Sequence, residues 1–223
     1  LGLPVVLQYE DDSFVDIHGH VKHGFTADRY RASCREVLQL ISGGTAVSPY
    51  LLSQMPADIP KVLLRGIVSA EIQELARKNQ SERKNWVVFS GTLEGTQGLE
   101  QLIVAWRRLG LSDWELHLAG SGPLTPILKE MSKGDDRIVF RGVLNRQENA
   151  RLLCQARIGM NPQDITKVPG SVFAFKIVEY LAAGLHVITT PRGALEPELE
   201  QGVSYISNNT PEAIATMLNS AIR

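Results

Sequence analysis

The chain has 223 residues, of which 43% are hydrophobic and 21% are charged, and its net charge at pH 7 is −1. This composition is typical of a globular protein with a substantial core, and it excludes an intrinsically disordered chain. The lysines and arginines are dispersed and no apolar run approaches the roughly 20 residues that span a bilayer, so the sequence indicates neither nucleic-acid binding nor a transmembrane segment.

The first 66 residues predict the end of a parallel sheet. Residues 4–9, 45–48 and 61–65 are short apolar runs that predict strands, and residues 29–41 predict a helix. Alternating strands and helices are typical of a doubly wound α/β fold, but these elements are too few for a complete domain of that class. We therefore expect residues 1–66 to be the C-terminal part of an α/β domain whose first strands lie upstream of this sequence.

Three histidines, His18, His20 and His23, lie close together in a glycine-containing stretch. Neutral imidazoles are common metal ligands, so a metal site is one interpretation of this stretch. No cysteine or second ligand cluster accompanies the histidines, and a surface histidine loop explains the pattern adequately. A loop that contacts substrate is the third interpretation.

The rest of the chain predicts a linker and a second α/β domain. Residues 67–85 contain a predicted helix over 70–79 and a polar stretch over 80–85, which we interpret as the linker. From residue 86 to 223, apolar strands alternate with helical segments, which predicts a doubly wound, Rossmann-like parallel sheet. The predicted strands of this domain are residues 86–90, 114–119, 138–141, 158–161, 186–190 and 203–206.

The two cysteines, Cys34 and Cys154, are isolated and far apart in the sequence. Their spacing fits neither a metal site nor a redox pair, so we expect both to be reduced core residues. Reduced thiols favour a cytoplasmic protein, either free or peripheral at the inner face of the membrane. The sequence starts at Leu1 with no visible signal peptide, so we expect it to be truncated at this end rather than secreted.

Four glycine-rich loops follow predicted strands of the second domain. They are residues 91–98, 120–122, 142–143 and 193–194. Each loop alone is more often a tight turn than a binding loop, because glycine serves both purposes. Ligands of doubly wound sheets bind outside the carboxyl ends of the strands, so four such loops at one edge indicate a ligand site.

The segment 170–193 predicts a loop, a helix over 172–183, a strand and a further loop, with Gly184 as a left-handed helix cap. Lys176 and Glu179 are three residues apart and therefore neighbours on one helix face. An exposed ion pair and a polar binding face are the two interpretations of this pair. We expect the core-facing residues of the helix to be Phe175, Val178, Leu181 and Ala182.

Phe173 to Gly184 resembles the donor-binding signature of retaining nucleotide-sugar glycosyltransferases of the family 4 type, which have the GT-B fold. The resemblance implies that Glu179 holds the ribose hydroxyls, while the preceding loop and helix start face the diphosphate and sugar. The order of the glycine-rich loops also matches, and the resemblance covers roughly residues 61–210. The donor-binding residues that it implies are Gly91, Thr92, Gln97, Ser121, Gly122, Val143, Ser171, Phe173, Lys176 and Glu179.

The family resemblance also carries expectations about the whole enzyme. It implies transfer of a hexose from a nucleotide sugar to a glycan or lipid-linked acceptor, with retention of anomeric configuration and without a metal or other cofactor. The enzymes act in polysaccharide or glycoconjugate biosynthesis and close two domains around the donor. Residues 1–66 would then be the end of the acceptor-side domain. Residues 67–85 would be the linker, and residues 86–223 the donor-binding domain. We expect no transfer activity from this chain alone, because most of the acceptor side would be missing.

The sequence departs from the family pattern at three charged positions. Thr92 and Gln97 stand where many members have an arginine and a lysine that reach the diphosphate, and Ser171 stands where many have a glutamate near the sugar. Positive charge is needed where the leaving diphosphate develops negative charge, so Lys176 becomes the candidate diphosphate stabiliser. With Ser171 in place of a carboxylate, front-side substitution is more compatible than a covalent glycosyl-enzyme, and no catalytic residue is identified.

Two alternative functions remain open from the sequence. A non-catalytic nucleotide-sugar-binding module would explain the missing basic residues, and a sugar-nucleotide epimerase would share the architecture. Neither the sugar, the nucleotide base nor the acceptor follows from the sequence.

Overall fold

The computed structural model describes residues 4–9, 25–78, 83–167, 174–191, 195 and 197–222. The chain divides into two compact units, of which unit 1 is Leu1–Ile67 with Thr166–Phe175 and unit 2 is Val68–Ile165 with Lys176–Arg223. His18, His20 and His23 and the predicted site residues Ser171 and Phe173 lie outside the described residues.

The described residues of unit 1 form a three-stranded parallel sheet of β1 (Val6–Tyr9), β2 (Gly43–Ala46) and β3 (Lys61–Leu63), in that order. Helix α1 (Phe25–Leu38) connects the first two strands and α2 (Pro49–Gln54) the last two. Their small core contains Leu38, Ile41, Ala46, Leu51 and Met55.

Helix α2 was not predicted, and the strand before it ends earlier than predicted. The strand expected over residues 45–48 lies at 43–46, because Ser48 is the N-cap of α2 and accepts a hydrogen bond from the Leu51 N–H at 3.2 Å. Pro49 follows at the first helical position, where its missing N–H costs nothing. A serine followed by a proline is a helix-start pattern that the sequence interpretation overlooked.

The described part of unit 2 contains a six-stranded sheet in which every pair of neighbours is parallel, as predicted. Its strand order is β6-β5-β4-β7-β8-β9, which is the Rossmann order, and the direction of winding reverses between β4 and β7. The strands are β4 (Trp86–Ser90), β5 (Glu115–Ala119), β6 (Ile138–Gly142), β7 (Ile158–Asn161), β8 (His186–Thr189) and β9 (Val203–Tyr205).

Helices of unit 2 pack in two groups. Helix α4 contacts α5 and α9, and the main core lies between these helices and the sheet, with Phe89, Leu118 and Trp106 fully buried. Helix α3 contacts α6 and α7. The helices are α3 (Ala70–Lys78), α4 (Leu99–Leu109), α5 (Thr125–Met131), α6 (Arg146–Gln155), α7 (Lys176–Ala182), α8 (Pro197–Glu200) and α9 (Pro211–Ile222).

Helix α7 differs from its prediction in start and in buried face. The helix begins at Lys176, since Ala174 and Phe175 are described and are not helical. Its fully buried residues are Ile177 and Tyr180, whereas the four residues expected in the core are only half-buried. The predicted cap is confirmed, because Gly184 has φ 77° and its N–H donates to the Leu181 carbonyl at 2.9 Å.

No helix in the described ranges is long and apolar enough to cross a membrane.

Candidate functional site

A cavity of about 490 Å³ lies at the carboxyl ends of β4, β5 and β6, where a doubly wound sheet places its ligand site. The loops after the three strands, the start of α6 and one residue of α7 form its wall. The lining residues are Ser90, Gly91, Thr92, Ala119, Gly120, Ser121, Val143, Leu144, Asn145, Arg146, Asn149 and Glu179.

Backbone hydrogen bonds join the glycine-rich loops to one another. The Gly91 N–H donates to the Ala119 carbonyl at 3.0 Å, and the Gly120 N–H donates to the Gly142 carbonyl at 2.7 Å. Gly120 has φ 125°, and a side chain there would collide with the Gly91 carbonyl. The glycine at position 120 is therefore required by packing between loops, and this packing builds the cavity floor.

The amine of Lys176 lies beside the loop after β4. Its Nζ donates a hydrogen bond to Gln97 Oε1 at 2.6 Å and lies 4.1 Å from the centroid of the Phe89 ring. A Cβ at Gly91 would stand 3.1 Å from this amine, so the absence of a side chain there leaves room for it. Burial lowers the pKa of Lys176 to about 7, although Glu94 and Glu179 oppose the shift.

The acceptor of the Lys176 amine, Gln97 Oε1, belongs to a hydrogen-bonded network. Gln97 is only 7% exposed, and its Nε2 lies 3.3 Å from Glu94 Oε1, to which it donates. The Thr96 hydroxyl donates to the same carboxylate oxygen at 3.0 Å, and Gln163 Nε2 donates to Gln97 Oε1 at 3.4 Å. The Gln97 oxygen therefore faces Lys176 while its nitrogen faces a carboxylate, which fixes the orientation of the amide.

Glu179 lines the cavity from α7. Burial raises the pKa of its carboxyl group, while the nearby Lys176 opposes that change. Within the described residues, Lys176 donates to Gln97 and forms no ion pair with Glu179. The interpretation of the two residues as an exposed ion pair is therefore wrong, and the Glu179 carboxylate is left facing the cavity.

Ser90 ends β4 at the cavity and joins two helices to it. Its N–H donates to the Tyr180 hydroxyl at 2.8 Å, and its hydroxyl donates to Asn149 Oδ1 at 2.7 Å. Tyr180 is fully buried, and burial raises the pKa of its phenol. These contacts hold α6 and α7 against the same end of β4.

The start of α6 supplies cavity residues that the sequence interpretation missed. Asn145 Oδ1 accepts from the Glu148 N–H at 3.0 Å, and Glu148 Oε2 accepts from the Asn145 N–H at 2.9 Å, which is a capping box. Arg146 and Asn149 follow on the cavity wall. The Asn-x-x-Glu pattern directly after a glycine-containing loop would have placed this helix start, and with it Arg146, at the ligand edge.

The described members of the predicted donor set divide into two groups, and the remaining two, Ser171 and Phe173, lie outside the described residues. Gly91, Thr92, Ser121, Val143 and Glu179 line the cavity. The other described members, Gln97, Gly122 and Lys176, are absent from its lining, and a side chain on Gly122 would meet the Leu93 backbone. Among the described residues no group of three or more histidine, cysteine, aspartate or glutamate side chains is arranged to hold a metal ion.

Solved glycosyltransferases share this fold. HepE from Anabaena, solved in complex with UDP, matches with a TM-score of 0.69 and 16% identity, over 98% of this chain and 62% of HepE. The pneumococcal O-GlcNAc transferase GtfA, solved with UDP and GlcNAc, matches with a TM-score of 0.66 and 13% identity, over 98% of this chain and 45% of GtfA. Sucrose-phosphate synthase from Thermosynechococcus elongatus matches with a TM-score of 0.67 and 17% identity, over 96% of this chain and 57% of the synthase.

The chain thus spans less than two thirds of the length of each of these proteins, and at these identities the likeness establishes the shared GT-B-type fold. No curated protein sequence is significantly similar to this chain. Residues 84–223, which include every residue of the cavity, match the family model described as glycosyl transferases group 1. The chain therefore belongs to the group 1 glycosyl transferases.

Proposed function

We propose that this chain is the donor-binding part of a glycosyltransferase that takes a sugar from a nucleoside diphosphate sugar. Family membership and the cavity at the carboxyl edge of the sheet support this function. The resemblance of residues 173–184 to the family 4 signature favours transfer of a hexose with retention of configuration and without a metal cofactor. The acceptor would be a glycan or a lipid-linked molecule.

The observation that carries the proposal is that Glu179 lines this cavity. A carboxylate can accept hydrogen bonds from both hydroxyls of a ribose, and the adjoining loops after β4 and β5 offer backbone close to a diphosphate. Glu179 would thus fix the nucleoside, with the diphosphate directed toward Gly91 and Ser121.

Lys176 would supply the positive charge that the loop after β4 lacks. The Lys176 amine donates a hydrogen bond to Gln97, which stands where many relatives have a lysine. The charge of Lys176 therefore lies close to the place where those relatives carry theirs. Arg146, which lines the cavity at the start of α6, is a second candidate cation. Fixed cations near the leaving diphosphate stabilise the charge that develops as the glycosidic bond breaks.

Glu179→Ala tests the donor-site assignment. Because two hydrogen bonds to a carboxylate are lost, we expect the affinity for the preferred nucleoside diphosphate to fall about ten- to hundredfold, or roughly 1.5–3 kcal/mol. Calorimetric titration with UDP, GDP and ADP measures this change and identifies the base.

Glu130→Ala, which removes an exposed glutamate of α5, is the matched control and should bind as the wild type does. If Glu179→Ala also binds as the wild type does, Glu179 does not hold the ribose.

The proposal for the whole enzyme divides the chain into the end of an acceptor-side domain (1–66), a linker (67–85) and the donor-binding domain (86–223). Release of nucleoside diphosphate from a nucleotide sugar by a protein that carries these residues together with a complete acceptor-side domain would separate a transferase from a pure binding module. Nucleotide binding without turnover would favour the binding module, and release of an unsaturated sugar would favour an epimerase.

A further inference from the structure

A second cavity, of about 450 Å³, lies along α6 and shares only Leu144 with the donor cavity. We call it the Trp86 pocket. Its wall carries three cations, Lys84, Arg141 and Arg151, and one carboxylate, Glu148. Its volume falls within the range of about 300–1,000 Å³ that is typical of small-molecule sites.

A buried histidine fixes the arginine of this pocket. Arg141 Nε donates to Nδ1 of His117 at 2.9 Å, and His117 Nε2 lies 2.7 Å from Glu115 Oε2. An arginine Nε always carries hydrogen, so Nδ1 is the acceptor and the imidazole proton lies on Nε2, facing Glu115. Burial lowers the pKa of His117, and Arg141 adds to this shift while Glu115 opposes it, so the ring stays neutral.

This arrangement leaves the outer nitrogens of Arg141 for another partner. His117 is fully buried, whereas Arg141 is exposed, so a buried imidazole holds a guanidinium at the surface. In the described ranges, the Arg141 side chain makes no other hydrogen bond. An arginine whose side chain is already fixed loses less conformational entropy when it binds an anion.

Trp86 brings the pocket cations together. Its ring stacks on His117 with 4.1 Å between centroids, Lys84 Nζ lies 4.4 Å from the ring centroid, and Arg141 Cζ lies 5.4 Å from it. Within the part of the chain that the structure describes, neither Lys84, Arg141 nor Arg151 is paired with a carboxylate.

The charges of the pocket do not balance. Glu148, the carboxylate on its wall, already accepts from the Asn145 N–H in the capping box of α6. The lining therefore carries three positive charges against one negative charge. A ligand with a single carboxylate would leave this excess uncompensated, whereas a phosphate group carries about two negative charges at neutral pH and matches the fork of an arginine.

We propose that the Trp86 pocket is a second binding site, separate from the donor cavity, for a small phosphorylated ligand. Arg141 and Arg151 would hold the phosphate oxygens, with Lys84 as a third charge. Neither Glu179 nor Lys176 lies in this pocket, so its ligand does not depend on the donor-site residues.

Tryptophan fluorescence can follow binding with inorganic pyrophosphate as the probe. Trp86 is partly exposed and lines the pocket, whereas Trp106 and Trp114 are 0% and 8% exposed, so a ligand-dependent change should come from Trp86. We expect R141Q and R151Q each to weaken pyrophosphate binding about tenfold, because each removes a charge-assisted contact. The Arg151 side chain is exposed and makes no hydrogen bond to the described residues, so R151Q should fold normally and gives a result even if R141Q does not.

Two control variants separate this site from other causes. R108Q removes an exposed arginine of α4, and K176M alters the donor site. By Trp86 fluorescence, both variants should bind pyrophosphate as tightly as the wild type does. Equal weakening by R108Q would show general electrostatic attraction and would overturn the proposal, as would unchanged binding by R151Q. Loss of the signal in K176M would place the ligand in the donor cavity and would also overturn it.

The source of the phosphate is distinguished by a second titration. A sugar phosphate that binds more tightly than pyrophosphate, with the same dependence on Arg151, would indicate an organic phosphate whose sugar contacts the pocket wall. The reverse order would indicate an inorganic anion site. Nucleoside diphosphate affinity in R151Q should equal that of the wild type, which keeps this test independent of the proposed donor site.

Discussion

The amine of Lys176 shows how local surroundings set the charge of one residue. It lies above the Phe89 ring, and its hydrogen-bond acceptor, Gln97, is neutral. An aromatic face and an amide oxygen stabilise an ammonium less than water does, so its pKa falls from 10.5 to about 7. The residue would therefore be poised to take up a proton when an anion arrives.

Lys176→Met tests this coupling through pH. Above pH 7 the free amine is increasingly neutral, so a diphosphate that needs the ammonium must bind together with a proton. We expect the Kd of the nucleoside diphosphate to weaken from pH 7 to pH 9, by at most about tenfold per pH unit, and the variant to show a flat profile. Phosphate groups titrate near pH 6, so the charge of the ligand stays constant over this range.

The matching nucleoside, which lacks phosphates, is the control ligand. Calorimetry in two buffers of different ionisation enthalpy measures the proton uptake directly. If Lys176→Met weakens nucleoside and nucleoside diphosphate equally, the amine is not the diphosphate contact. The low pKa also predicts that stability rises between pH 7 and 10.5, where the unfolded chain binds the proton and the folded chain does not.

At the scale of elements, the Tyr180 side chain helps to attach α7 to the sheet. The Tyr180 ring lies so close to Gly159 of β7 that a side chain at that position would collide with it. The phenol reaches β4 and accepts the Ser90 N–H. Just beyond the C-terminus of α7, Arg83 donates to the Ala183 carbonyl at 2.7 Å and also to the Ala156 carbonyl at 2.8 Å, which joins the ends of α6 and α7.

Tyr180→Phe should destabilise unit 2 by about 1–3 kcal/mol, because it leaves the Ser90 N–H at the end of β4 without its acceptor. All three tryptophans lie in unit 2, so urea unfolding followed by tryptophan fluorescence reports on this unit. Tyr205→Phe, at a residue with 36% exposure on β9, is the control and should change stability by under about 0.5 kcal/mol. If both variants change the free energy of unfolding equally, the hydrogen bond from the Ser90 N–H to Tyr180 does not stabilise unit 2.

At the scale of the whole molecule, every residue of the donor cavity belongs to unit 2. The carboxyl ends of β4, β5 and β6 lie side by side because the sheet is parallel and has the Rossmann order. Ligand binding should therefore stabilise one unit of the chain selectively.

Hydrogen exchange can measure this selectivity. At a concentration of about 100 times Kd, a nucleoside diphosphate should stabilise unit 2 by about 2.7 kcal/mol. We expect slower exchange in the loops after β4 and β5 and at the start of α6, and no change in β1, β2 and β3. Equal protection of β2 and β4 would contradict a site confined to unit 2.

The sequence by itself determined most of the elements of unit 2. The predicted strands 86–90 and 158–161 match β4 and β7 residue for residue, because each is a short, largely apolar run that is followed directly by a glycine or a proline. Gly184 was identified as a helix cap because few other residues adopt a left-handed conformation without strain. Such features depend on neighbours within a few residues, and those neighbours are visible in the sequence.

Only the tertiary structure decided which side chains meet. Lys176 and Gln97 are 79 residues apart, and Arg83 and Ala183 are 100 apart, so no local pattern relates them. Helical periodicity gives the spacing of a buried face but not which face is buried, and the prediction for α7 failed because Tyr180 faces the space above Gly159. Gly120 was recognised only as part of a glycine-rich loop, and the structure shows that the Gly91 carbonyl leaves no room for a side chain there, since packing between distant loops is fixed only when the sheet forms.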